Sequence, residues 1–291
     1  MSKGNELQAL LKRPGILSVP GVHDAITAKL ARKAGFEAGY VSGSGAVTSI
    51  LAQPDVGLIT LPEMATHVRH ISEATPVPLI VDADTGHGSV LNVMRCVREL
   101  ESAGAAAIHI EDQEFPKRCG HLDGKTIVPL DEMVGKIRAA VGAKTDKSFQ
   151  IIARTDARAV EGMEAAVNRA KAYVKAGADI IFPEALKNEE EFRSFAKALS
   201  APLLANMTEF GKTPYYTAKQ FESWGYKIVI FPVSALRIAN RAVLDFFIAL
   251  RQQGTQRDFE PKMLTRKELY EIIDYAEYEK RQDTYAPKES K

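Results

Sequence analysis

Three segments of the chain repeat one plan: AGFEAGYVSG at 34–43, AGAAAIHIED at 103–112 and AGADIIFPEA at 176–185. Each opens with Ala-Gly after a stretch of helical spacing, continues through a few apolar residues and stops in polar or charged ones. Glycine just past a helix supplies the left-handed turn that ends it. A short apolar run is the pattern of a strand buried on both faces, as parallel strands are. The plan recurs in eight runs, at 15–20, 38–42, 78–84, 106–112, 150–155, 179–184, 202–207 and 228–233, with helix-spaced segments between them. Eight strands alternating with helices imply an α/β chain closed into a (β/α)8 barrel of the TIM type. An open doubly wound sheet is the alternative, but neither G-x-G-x-x-G nor G-x-x-x-x-G-K-[ST] follows the first run.

The chain has 291 residues, and a barrel takes about 250. The expected division is an N-terminal segment at 1–14, a barrel at 15–252, and a C-terminal extension at 253–291. The extension holds an amphipathic helix at 265–280, which packs on a neighbouring subunit or its own barrel, and a tail, QDTYAPKESK, expected to be disordered. A hydrophobic content of 45% supports a large core. Lys and Arg number 38 against 37 Asp and Glu, which points to neither a nucleic-acid nor a membrane partner. No stretch approaches the roughly 18 apolar residues of a membrane span, and the N-terminus lacks the apolar segment of a secretory signal. Cys96 and Cys119 are too few for a disulfide framework, so a reducing cytoplasm is expected.

In a barrel of this type the active site gathers where the strands end, because those loops converge on one mouth. The candidates by position are Asp24, Ser42, Gly43, Ser44, Asp82, Asp84, Glu111, Asp112, Arg154, Asp156, Glu184, Asn206, Thr208, Ser234 and Arg237. In VDADTGHG, Asp82 and Asp84 stand two apart at a strand end and share a face. With Glu111 on the next strand they form a group of carboxylates that repel unless a cation lies among them. Hard oxygen ligands without a His-Cys cluster suit Mg²⁺, with Mn²⁺ also compatible. The bland reading is that some of these acids cap helices or pair with Arg154.

Cys119 lies in KRCGH, flanked by Lys117, Arg118 and His121, a basic setting that favours a thiolate and tunes its proton transfer. Cys96, inside LNVMRCVREL, reads as helix packing. Arg154 suits bidentate binding of a substrate carboxylate, or neutralisation of the nearby acids. Asn206 and Thr208 offer neutral hydrogen bonds to a second carboxylate. His67 and His70 read as a solvated helix face, and His109, in mid-strand, as a core residue.

DADTGHG, HIEDQ, PKRCGH, ARTDA, FPEA and ANMTEFGKTP together resemble the isocitrate lyase/phosphoenolpyruvate mutase superfamily, over about residues 15–280. KRCGH resembles its lyase branch, most of all the members that cleave 2-methylisocitrate. The resemblance implies a barrel whose eighth helix is exchanged between paired subunits, in a homotetramer built as a dimer of dimers. It implies retro-Claisen cleavage of a di- or tricarboxylate, 2-methylisocitrate, to pyruvate and succinate in propionate catabolism. Mg²⁺ would contact Asp84 directly, with Asp82, Asp55 and Glu111 around it. Ser42, Gly43 and Ser44 would hold the pyruvate end and Arg154 its carboxylate, with Gly120 in the substrate-binding set. Glu184, Asn206, Thr208, Arg237 and Arg266 would surround the other carboxylates or the closing loop at 113–125. Tyr40 would take the substrate's hydroxyl proton, and Cys119 would protonate the enolate-like fragment, tuned by His121 and Lys117. After KRCGH the chain reads LDGKTIVP where some members carry Arg-Pro-Asn, and His87 stands where an aromatic residue is frequent. A 2,3-dimethylmalate lyase would share the cysteine loop, and an oxaloacetate hydrolase or a mutase most of the remaining residues. A non-catalytic barrel is a third class, which would leave so many convergent polar groups without a ligand.

Overall fold

All eight runs form parallel strands in a computed structural model that describes residues 2–286. They are β1 Leu17–Pro20, β2 Gly39–Val41, β3 Leu79–Asp82, β4 Ala107–Glu111, β5 Gln150–Thr155, β6 Ile180–Pro183, β7 Leu204–Asn206 and β8 Ile228–Phe231. Continuous pairing joins β2 through β6 in order, and β1 to β8 to β7. Two parallel bridges close the ring, Gly21 to Tyr40 between β1 and β2 and Ile181 to Leu203 between β6 and β7. The barrel expected from the eight runs is therefore complete.

Strand alternation divides the core in two. Outward-facing Val41, Leu79, Val81, Ile108, Ile151 and Val229 pack under the helices. Inward-facing Tyr40, Ile80, Ala107, Ile152, Ile180, Leu204 and Ile228 fill the barrel. The helix Lys3–Lys12 joins the inner cluster through Leu7, which is fully buried, so part of the segment at 1–14 is barrel core. Continued toward the strand ends, the inner face becomes polar. Ile80 leads to Asp82, Ala107 to His109 and Glu111, Ile152 to Arg154, Phe182 to Glu184, and Leu204 to Asn206. One periodicity thus builds both the apolar plug and the polar mouth.

Contacts divide the chain into one compact unit ending at Leu236 and a second beginning at Arg237, a boundary inside the helix Ser234–Gln253 and short of the expected limit at 252. In the second unit that helix leaves Ile238, Leu244 and Phe247 exposed. The extension holds helices Arg266–Ile272 and Tyr275–Tyr285. The tail expected to be disordered from residue 282 is thus helical to Tyr285, and its last five residues, 287–291, lie outside the described residues. Among the described residues no helix is long and apolar enough to cross a membrane.

Candidate active site

Asp82 ends β3, where its Oδ2 accepts the N–H of Gly43 at 3.0 Å and its Oδ1 the N–H of Asp84 at 3.0 Å. A Cβ on Gly43 would stand 3.0 Å from Asp82 Oδ2 and 3.1 Å from Asp84 Oδ1, so the β2 turn lies close against both carboxylates. Burial alone would raise the Asp82 pKa, but His109, Lys117 and Arg154 outweigh it and hold the group at about 2. Burial, reinforced by Asp82 and Asp55, pushes Asp84 up to about 6 against the pull of Lys117. Glu111 is also pushed well up, chiefly by burial. Lys117 Nζ is 2.8 Å from Asp84 Oδ1 and pairs with Asp55 as well.

These acids fit a divalent cation. Asp84 Oδ1, although close to Lys117, accepts no well-formed hydrogen bond, and neither does Glu111 Oε1. The inward-facing acids Asp82, Asp84, Glu111, Asp156 and Glu184 are all buried, and the buried cations beside them are Lys117, Lys125 and Arg154. Five carboxyl groups against three cations leave an imbalance, which protonation of Glu111 relieves only in part and to which Asp55 adds at the rim. Among the described residues no three ligand side chains converge closely enough to hold an ion together. Such a set suits Mg²⁺, which keeps several waters and takes one or two carboxylates directly.

Across the mouth, Arg154 is held by Asp156, with Nε to Oδ2 at 2.9 Å and Nη2 to Oδ1 at 3.2 Å. Its Nη1 lies 3.2 Å from Glu111 and 3.5 Å from Glu184. The neutralising role is therefore filled toward Glu111, while its two-pronged partner in this structure is Asp156. Glu184 receives His121 Nε2 at 2.9 Å and Asn206 Nδ2 at 3.2 Å. Despite its burial, Arg154 and His121 hold the Glu184 carboxyl well below the usual range. His121 Nδ1 accepts the N–H of Lys212 at 3.0 Å, which leaves Nε2–H to donate to Glu184.

Two expectations about Cys119 are corrected. Its thiol pKa is raised, because burial outweighs the hydrogen bond from the His121 backbone, so the group is a thiol and not a thiolate. Lys117, expected to tune the sulfur, is engaged with Asp55 and Asp84, and Arg118 points to solvent. The thiol lines a cleft of about 520 Å³ together with Asp55, Val56, Leu58 and Leu122. The loop at 113–125 forms a flap anchored at its base by Glu114 N–H to Thr126 O at 3.0 Å and by a bridge from Gln113 to Ile127. Its far end meets the segment after β7 through His121 and through a Lys212–Asp123 pair.

His109, expected to be a core residue, is fully buried, with Nε2 2.7 Å from the Tyr40 hydroxyl and 3.4 Å from Asp82. It shares an inner face with Glu111 two residues on, the same spacing that singled out Asp82 and Asp84. Burial and Asp82 raise the Tyr40 phenol well above its ordinary pKa, so it is protonated at rest. Lys125, whose ammonium is 2.6 Å from Asp156, carried no signal in the sequence. Asp24 proves to be a helix cap, accepting the Thr27 N–H at 2.8 Å. Asp112 turns outward to Thr155, Tyr173 and the Asp156 N–H. Ser42 is buried at the start of the helix Gly43–Leu51, Ser44 is the second residue of that helix, and Thr208 is half-buried after β7. Arg237 and Arg266 belong to the second unit and are exposed.

Residues 7–251 match the family model described as phosphoenolpyruvate phosphomutase. A 2-methylisocitrate lyase of Aeropyrum pernix is 56% identical, over 96% of this chain and 89% of its own. One of Bacillus subtilis is 50% identical, over 95% of this chain and 91% of its own. Among solved structures, 2,3-dimethylmalate lyase, described as a PEP mutase/isocitrate lyase superfamily member, superposes with a TM-score of 0.93 at 36% identity, covering 98% of this chain and 96% of that one. Phosphonopyruvate hydrolase in complex with oxalate and Mg²⁺ superposes at 0.89 and 32% identity, over 99% of this chain and all of that one (100%).

Proposed function

Because the chain belongs to the phosphoenolpyruvate mutase/isocitrate lyase superfamily, we propose that it is a Mg²⁺-dependent carbon–carbon lyase that cleaves 2-methylisocitrate to pyruvate and succinate. The observation that carries this reading is a free cysteine, Cys119, on a flap over a mouth of buried carboxylates and cations. Cleavage of the C2–C3 bond needs a proton removed from the C2 hydroxyl and one delivered to C3. Asp84 would hold the ion directly, with Asp82, Asp55 and Glu111 around it through water. When bound, Mg²⁺ supplies positive charge to the oxygen that becomes the keto group of pyruvate.

Ser42, Gly43 and Ser44 would seat the pyruvate end, with Arg154 and Gly120 beside it. Glu184, Asn206 and Thr208 would position the succinate end. Tyr40 would take the hydroxyl proton as its own passes to His109 Nε2 at 2.7 Å, since a phenol raised by burial accepts a proton only by surrendering one. Cys119 would then donate its proton to the carbanion at C3, a step for which a neutral thiol is already in the required state. The flap excludes water that would otherwise quench that carbanion.

We assign the exposed apolar face of the helix Ser234–Gln253 to exchange between paired subunits of a homotetramer, and place the enzyme in cytoplasmic propionate breakdown. The structural likeness to 2,3-dimethylmalate lyase supports 2,3-dimethylmalate as the second candidate substrate, cleaved by the same groups. Pyruvate release measured on 2-methylisocitrate, 2,3-dimethylmalate and isocitrate, each with Mg²⁺ and with EDTA, decides. Preference for 2-methylisocitrate abolished by EDTA is expected. Release from none of them would eliminate the lyase.

A further inference from the structure

Lys125 is a flap residue with its ammonium buried at the floor of the site. Its Nζ lies 2.6 Å from Asp156 Oδ1 and also donates to the Gly120 carbonyl. Asp156 is fully buried and grips Arg154 with both oxygens. Gly120 lies directly on Arg154 and Glu184: a Cβ there would stand 2.5 Å from Arg154 Nη2 and 2.5 Å from Glu184 Cγ. One ammonium therefore ties the Cys119–Gly120–His121 turn to the acid that orients Arg154. A lysine is almost never fully buried unless paired. Here the pairing is with one residue of the barrel and one of the flap. With the flap lifted, Lys125 would leave Asp156 and carry the Gly120 turn with it, and Asp156 would keep Arg154 as its sole cationic partner.

We infer that Lys125 is a positioning residue that latches the flap, coupling its closure to the setting of Arg154 and so placing Cys119 for proton delivery. This deepens the proposed lyase reading and rests on it for the rate effect, though not for the geometry. A latch differs from a core residue in what its loss changes. Without it the barrel stays folded, the substrate still finds the carboxylate-binding groups, and the thiol is misplaced. A misplacement of about 1 Å costs on the order of 10²-fold in rate.

The test uses the Mg²⁺-loaded enzyme and Lys125→Met, with two readouts. In pyruvate release, kcat should fall about 10²-fold while KM stays within about threefold. In alkylation by iodoacetamide without substrate, Cys119 should react several-fold faster than in the parent, while fully buried Cys96 stays unlabelled. Lys125→Arg, which keeps the cation, should recover most of both. Adding Asp156→Asn to Lys125→Met should not speed alkylation further, because both changes break one latch. An unchanged alkylation rate in folded Lys125→Met overturns the latch, as does an unchanged kcat. Loss of the barrel fold in that variant also overturns it, by making Lys125 a core residue. If the parent releases no pyruvate, the lyase reading fails while the alkylation arm still decides the latch.

Discussion

Gly120 offers the sharpest test of how the flap meets the site. Its backbone φ lies outside the left-handed region, so alanine there costs nothing in conformation, and any effect of Gly120→Ala is one of contact. The added Cβ would stand 2.5 Å from Arg154 Nη2, 2.5 Å from Glu184 Cγ and 2.7 Å from Glu184 Cδ. Ordinary separation is about 3.5 Å, so roughly 1 Å must be found. Arg154 cannot give, being pinned by Asp156, and Glu184 is buried among His121, Asn206 and Arg154. The flap moves instead, carrying Cys119 with it. A 1 Å error at the proton donor lowers the rate by about 10²-fold, or ~2.7 kcal/mol in the barrier. Overpacking in a closed core costs ~1–3 kcal/mol, but here the flap relieves it without opening the barrel. Pyruvate-release kinetics and thermal melting of the Mg²⁺-loaded protein should show kcat/KM down about 10²-fold and Tm lowered by no more than about 4 °C. A variant within threefold of the parent in kcat/KM would refute the contact argument.

Four further outcomes follow from the structure. Cys119→Ser should retain the fold and lose at least about 10²-fold in kcat. In the parent, alkylation of Cys119 should be slower at pH 7 than that of a free thiol and should rise with pH, because burial raises its pKa; a rate at pH 7 above that of free cysteine would contradict a protonated donor. For the metal, the relevant group is Asp84, whose pKa of about 6 without an ion exceeds its ordinary value of 3.8. Between those values the folded metal-free state binds the extra proton, so its stability falls as pH rises from about 4 to about 6, by at most ~3 kcal/mol. Mg²⁺ displaces that proton, so the Tm difference between Mg²⁺ and EDTA should widen across this window, and a constant difference would speak against Asp84 as the ligand. Finally, Phe247→Asp, on the exposed apolar face of its helix, should dissociate the proposed tetramer in sedimentation and lower activity with it; a variant of unchanged oligomeric state would exclude that face as the exchange surface.

The barrel was legible because every strand is short, apolar and ended by polar residues, and the inward face of the mouth follows from the same alternation. Asp82, Glu111, Arg154, Asp156 and Glu184 were found that way, and His109 lay within reach of it, two residues from Glu111, which was already chosen. The capping pattern of Asp24 with Thr27 could likewise have removed Asp24. The surroundings of Cys119 were not legible. Lys117 and Arg118 are its neighbours in sequence, yet one reaches Asp55 and Asp84 and the other points to solvent. Neighbouring charges along a loop do not reveal which way each side chain turns.

A charge count along the inner face would have gone further. Asp82, Asp84, Glu111, Asp156 and Glu184 are five buried acids on strand ends that bring Arg154 as their one buried inward cation. Burying that many unpaired carboxylates is prohibitive, so the missing positive charge must come from the element that covers them or from an ion. The covering element holds Lys117 and Lys125, both buried against those acids. A deficit read from strand ends thus assigns a purpose to flap lysines that composition alone would leave on the surface. It also explains why closure and chemistry are joined here: the flap brings the thiol and the neutralising cations together. A flap stripped of those cations would therefore meet an uncompensated anionic mouth, and is expected to stay open even with Cys119 intact.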